Sequence, residues 1–271
     1  MLKWILSSAA AIVFAASAVQ AQDAAPSQSS SPDEAEARSA QAPEIDYVLT
    51  EGPDDHVIGS EEAAQTMIVY ASVTCSHCAE WFSNEWPAVK TGLIESGKIR
   101  FVFRPLPTAP AILSMTGFAI AECAPEYDYF PVIEHQMENQ QLLIEQAQAG
   151  KGQEAYTKVG KLAGLKDEEA VQACLRDQSN IEAVQLSAAR ANAAGVTGVP
   201  AFFINGEYYK GPQEAKALVD LISEMDAAGV TKLPESALKA VPSKPKMPKA
   251  DEPKTDETEA PSDEKEGSPD K

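Results

Sequence analysis

The sequence predicts an α/β fold in which a small sheet is interrupted by a helical insertion. Three observations predict it. A short β-branched run, Met67 to Val73, passes directly into a helical pattern and then into a second strand, Ile99 to Phe103. Strand signals are then missing from Ala111 to Ala194, and they return as two short runs flanking Asn205-Gly206.

In chain order, the first element is a leader. MLKWILSSAAAIVFAASAVQA places Lys3 before an apolar run and ends on small residues at Val19 and Ala21, the pattern of a signal peptide over residues 1–21. The run is about 16 residues, against the roughly 20 that a spanning helix needs. Cleavage after Ala21 would leave Gln22 first and so provides no cysteine for a lipid anchor. Residues 22–46, rich in Ala, Ser, Pro, Gln and acids, read as a disordered linker. The expected domain covers residues 47–231, and the Pro-, Lys- and Glu-rich stretch 232–271 is expected to be a disordered acidic tail.

Within the domain, Met67 to Val73 suits a buried central strand. The helical stretch after it carries Pro87, expected as a kink, and Gly97 precedes the second strand. That strand ends at the Pro105, Pro107 and Pro110 cluster, where no regular element continues. The insertion, about 108–194, reads as consecutive helices punctuated by Pro125, Gly150, Gly152 and Gly164, with Asp167 as an N-cap before Glu168 and Glu169. Strands Ala201 to Ile204 and Glu207 to Tyr209 form a hairpin, and Gln213 to Ala228 closes the domain as a helix.

The formal charge of −19 argues against nucleic acid or an anionic membrane surface as a partner. Residues 47–231 alone hold 12 Lys and Arg against 25 Asp and Glu, so the acidity belongs to the expected domain as well as the ends; it reads as solubility.

The chemistry sits in Thr74-Cys75-Ser76-His77-Cys78, at the start of the first helix. Two thiols separated by two residues can close a small disulfide ring. Unpaired backbone N–H groups and the positive end of the helix dipole favour a thiolate at Cys75. His77 can add charge or a hydrogen bond, and Cys78, one turn deeper, is the expected buried resolving cysteine. A thiolate held this way favours the dithiol form, so the disulfide form becomes an oxidant. A zinc site would need further ligands; no second cysteine pair has zinc-finger spacing, and His56 and His135 are distant in sequence, so no metal is expected. A purely structural role is disfavoured because so small a ring closes almost no loop.

With the strand leading into Cys75-Ser76-His77-Cys78 and the later Gly195-Val196-Thr197-Gly198-Val199-Pro200-Ala201-Phe202-Phe203-Ile204-Asn205-Gly206, the chain resembles the DsbA-like thioredoxin family from about His56 to Ala228. The resemblance implies a thioredoxin fold and a cis Pro200 facing the redox pair, with Val199 offering backbone contacts to an extended substrate and Ser76 beside it. It also implies a periplasmic protein dithiol oxidase that needs no cofactor. Its clients would be reduced exported proteins, and a membrane quinone-linked, DsbB-like thiol oxidase would reoxidise it. The sequence departs from the best-known pattern at Ser76, where proline is usual, and in having no acidic residue in the strand Met67 to Val73. Both departures bear on the redox potential and leave the exchange chemistry in place.

Four cysteines in an exported protein suggest that Cys123 and Cys174 form a second, structural disulfide closing a loop of about 50 residues; the alternative is two buried thiols. Other readings of the redox pair are a disulfide isomerase or reductase, a chaperone, or a Cu(I) carrier. Residues 22–46 show no helical apolar stripe for a dimerisation stalk, so a monomer is expected. The surface around Cys75 is expected to include Phe82, Pro107 and Tyr208.

Overall fold

A computed structural model describes residues 46–239. The leader, nearly all of the linker, and residues 240–271 lie outside the described residues. The order is β1 (His56–Gly59), β2 (Gln65–Ala71), α1 (Ser76–Asn84), α2 (Trp86–Val89), a π-helical turn (Lys90–Ile94), β3 (Ile99–Pro105), then six helices. These are α3 (Ala111–Glu122), α4 (Glu126–Glu138), α5 (Gln140–Gln148), α6 (Gly152–Leu162), α7 (Glu168–Arg176) and α8 (Gln178–Ala193). The chain closes with β4 (Ala201–Ile204), β5 (Glu207–Tyr209), α9 (Ala215–Ala228) and α10 (Glu235–Leu238).

The strands form one sheet in the order β1-β3-β2-β4-β5, with β2 and β3 parallel and the other pairs antiparallel. Because β2 is covered on both faces, it is apolar at nearly every position. Met67, Val69 and Ala71 enter the larger core, while Ile68 and Tyr70 enter a smaller one on the other face. The larger core is aromatic. Trp81, Phe82 and Trp86 pack from α1 and α2 against Phe101 and Phe103 of β3 and Phe130 of α4, with the Trp86 and Phe101 ring centroids 4.7 Å apart. Cys78, Trp81 and Phe82 share one helix face because they stand three and four residues apart.

The expected kink at Pro87 is a break: α1 ends at Asn84 with Glu85 as its cap, and Pro87 occupies the first turn of α2, where its missing N–H leaves no partner unsatisfied. The Asn205-Gly206 turn has φ of 50° and 82°, the left-handed pair that a two-residue hairpin requires. Asp167 caps α7, accepting from the Ala170 N–H at 2.9 Å.

Two regions differ from the expectation. β1 is an edge strand of only four residues, too short to carry a period. The segment before it is held by Arg104, whose guanidinium donates to both Asp55 carboxylate oxygens at 2.9 and 2.8 Å, to the Tyr70 hydroxyl, and to the carbonyls of Tyr47, Val48 and Thr50. Every charge-bearing group there is paired, which is the condition under which a buried ion pair is tolerated.

The second difference is at the C-terminus, where the expected boundary at 231 falls short. Leu233 and Ala237 are buried, the Lys210 N–H donates to the Ala237 carbonyl at 2.8 Å, and the Leu233 N–H donates to Glu207. A few apolar residues at helical spacing close over β5 even though the surrounding composition is that of a solvated tail.

Candidate active site

The turn between β2 and α1 places the two cysteines. The Cys75 N–H donates to the Ser72 carbonyl at 3.1 Å, which turns the chain, and Cys75 then serves as the N-cap residue of α1 without its sulfur making a capping bond. The sulfur is therefore left available at the helix's positive end. Cys75 is half-buried and Cys78 is fully buried, and both are thiols in the structure. The Ser72 N–H donates to the Cys78 sulfur at 3.4 Å. Burial pushes the Cys78 thiol well above its usual range, and the Ser72 N–H opposes that only in part.

Two loops complete the site. The Val199–Pro200 peptide bond is cis, and the Val199 carbonyl accepts from the Cys75 sulfur at 3.5 Å. On another side lies the proline cluster after β3, where the Ala109–Pro110 bond is also cis. Thr108 is fixed there by buried hydroxyls: its Oγ1 donates to Ser72 Oγ at 2.9 Å, and its carbonyl accepts from Thr74 Oγ1 and Ser114 Oγ.

The helical insertion also reaches the redox turn itself. Gln140, the first residue of α5, is 9% exposed and donates its side-chain amide to the carbonyls of Val73 at 2.9 Å and Cys75 at 3.0 Å. The sequence did not single it out, because Asn139-Gln140-Gln141 reads as a solvated polar run. A spacing argument finds no signal for a residue whose role depends on where a helix begins.

Of the residues singled out in sequence, Cys75, Cys78, Val199 and Pro200 converge. Ser76 and His77 are exposed on the first turn of α1, and neither side chain makes a hydrogen bond among the described residues. The expected surface around Cys75 needs correction at two residues. Phe82 is 3% exposed because its position, four residues after Cys78, points it into the core; Tyr208 stacks on Phe203 over the smaller core, on the other face of the sheet. Cys123 and Cys174 are joined, with Cα atoms 6.2 Å apart, tying the end of α3 to α7. Among the described residues, no group of three or more His, Cys, Asp or Glu side chains could hold a metal ion.

A family model described as thioredoxin matches residues 51–224. A Rickettsia typhi protein provisionally named a protein-disulfide oxidoreductase is 28% identical over 153 residues, 56% of this chain and 55% of that protein. The chain thus spans about half the length of the curated relatives it matches. Among solved structures, a variant of α-DsbA1 from Wolbachia pipientis superposes with a TM-score of 0.57 at 23% identity, over 67% of this chain and 95% of that one. A protein-disulfide isomerase from Novosphingobium aromaticivorans gives 0.53 at 21% identity, over 63% and 96%. At these identities the two structures show a shared fold.

Proposed function

Because the chain belongs to the thioredoxin family, with a DsbA-like arrangement of sheet and helical insertion, we propose that it is an exported thiol–disulfide oxidoreductase that oxidises protein dithiols. The observation that carries this reading is the asymmetry of the pair: Cys75 is accessible at the start of α1, and Cys78 is buried behind it.

In the oxidised protein, a client thiolate attacks the Cys75 sulfur; a client–Cys75 disulfide forms, and the Cys75–Cys78 bond breaks. Cys78 leaves as a thiolate and takes up a proton, a step that its burial favours. A second client thiolate then attacks the client sulfur of the mixed disulfide and releases Cys75. The client loses two electrons and the pair gains them. Cys75 is released at the start of α1, and the pair ends as the dithiol.

On this reading Val199, whose carbonyl meets the Cys75 sulfur, would pair with an extended client segment, and Pro200, Ser76 and His77 would border the approach. On this reading the clients are reduced exported proteins in the periplasm, and a membrane quinone-linked, DsbB-like oxidase renews the disulfide. The protein acts as a monomer without a cofactor. Among the described residues, no helix is long and apolar enough to cross a membrane.

The test is to mix stoichiometric oxidised protein with reduced, unfolded ribonuclease A and count the disulfides formed in the ribonuclease. The reading requires ribonuclease disulfides to form as the Cys75–Cys78 disulfide disappears. In a second mixture, of the reduced protein with scrambled ribonuclease, rapid recovery of native ribonuclease without net oxidation would indicate an isomerase.

A further inference from the structure

The six-helix insertion separates β3 from β4 in sequence, yet it sends one polar side chain into the redox loop. We propose that Gln140 is a positioning residue for the redox pair, using its side-chain amide to lock the turn that presents the Cys75 sulfur. This rests on the redox reading of Cys75 and Cys78 and assigns the insertion a part in it.

The geometry is specific. Val73 and Cys75 lie two residues apart on the turn between β2 and α1, and one amide group, with its two protons, spans both of their carbonyls. The Cys75 carbonyl also accepts the first intrahelical bond, from the Ala79 N–H at 3.0 Å. With two donors on that oxygen, the Cys75 backbone is pinned between helix and insertion, and the sulfur is held at the helix terminus.

There is also an electrostatic consequence. A carbonyl oxygen on the residue that must carry a sulfur anion is an unfavourable neighbour, and a second donor on it reduces that repulsion in a largely buried setting. Gln140 makes both bonds without adding a charge. Its placement follows from the junction before it: α4 ends at Glu138 and is capped by Asn139, whose side chain folds back onto the His135 carbonyl at 2.9 Å, and α5 starts at once with Gln140.

The experiment measures the equilibrium of the full-length protein with glutathione for the parent, Gln140→Met and Gln140→Glu. Methionine keeps the size and removes both donors. The disulfide form of Gln140→Met should become harder to reduce by about three- to tenfold in the equilibrium constant, the size of one net hydrogen bond. Gln140→Glu, whose carboxylate would face two carbonyls, should change it further in the same direction. A merely structural residue would lower thermal stability and leave the equilibrium constant alone, and that result overturns the proposal. If the parent itself does not exchange with glutathione, the redox reading falls and takes this proposal with it.

A measurement on the unaltered protein avoids dependence on the variants' folding. The Gln140 side-chain amide resonances should move between the oxidised and reduced forms; resonances that stay in place overturn the proposal.

Discussion

The backbone N–H of Ser72 points at the sulfur of Cys78 from 3.4 Å, and it is one polar contact offered to a side chain with no solvent exposure. Burial is the larger effect, so the folded protein resists ionising this thiol. In the unfolded chain a cysteine loses its proton at about pH 8.5. A folded-state value above the unfolded one means that the stabilisation is complete below about pH 8.5 and is lost as pH rises beyond it. Urea unfolding of reduced Cys75→Ala against Cys75→Ala/Cys78→Ala, from pH 7 to 10, isolates the effect. The single variant should lose about 1.4 kcal/mol more per pH unit above that point. Tyr156 and Tyr209, both pushed up by burial to about 12, add the same trend at higher pH in both proteins. Parallel profiles would show that Cys78 ionises freely.

The Arg104–Asp55 pair, 1% and 3% exposed, fixes the segment before β1 to the sheet on the face away from Trp81 and Phe82. Arg190 also reaches Asp55, at 3.4 Å. Asp55→Ala would leave buried guanidinium donors unpaired and should cost about 3–5 kcal/mol in urea unfolding. Alkylation of Cys75 under native conditions should be unchanged, and a parallel loss of Cys75 reactivity would show that the two faces of the sheet are coupled.

Replacing Cys123 and Cys174 together by Ala should lower stability by about 4 kcal/mol in the chain-entropy account of a loop of this length. Mass mapping of the non-reduced protein should find one peptide pair joining them. Failure to find it would remove the cross-link between α3 and α7.

Truncation should have different effects on the two sides of α10. Ending the chain after Lys239 should leave insulin reduction unchanged. Ending it after Val230, which removes buried Leu233 and Ala237, should cost roughly 2–4 kcal/mol of stability. Equal stability of the two truncations would mean that the Leu233 and Ala237 packing contributes nothing.

Legibility in the sequence followed the strength of local signals. β2 could be read because its five residues from Met67 to Ala71 are all apolar and buried, and the β4–β5 hairpin because Asn205-Gly206 supplies two positive φ values. Cys75 and Cys78 announce themselves by spacing. β1 and α10, four residues each, are held by distant partners, Arg100 to Phe103 in one case and Lys210 and Glu207 in the other, and no local pattern encodes those. Gln140 is the same case within the site: a polar residue in a polar run, given its partners by packing between elements 65 and 67 residues apart in sequence. Phe82 and Tyr208 were misplaced because adjacency to a motif was read as proximity on the surface.

The most direct test of the central claim is to react oxidised glutathione with reduced Cys78→Ser protein and locate the adduct by mass spectrometry. The account predicts a stable mixed disulfide at Cys75, which persists because the buried resolving thiol is gone. An unmodified Cys75, or an adduct there released as quickly as in the parent, would contradict the division of labour between the accessible and the buried sulfur.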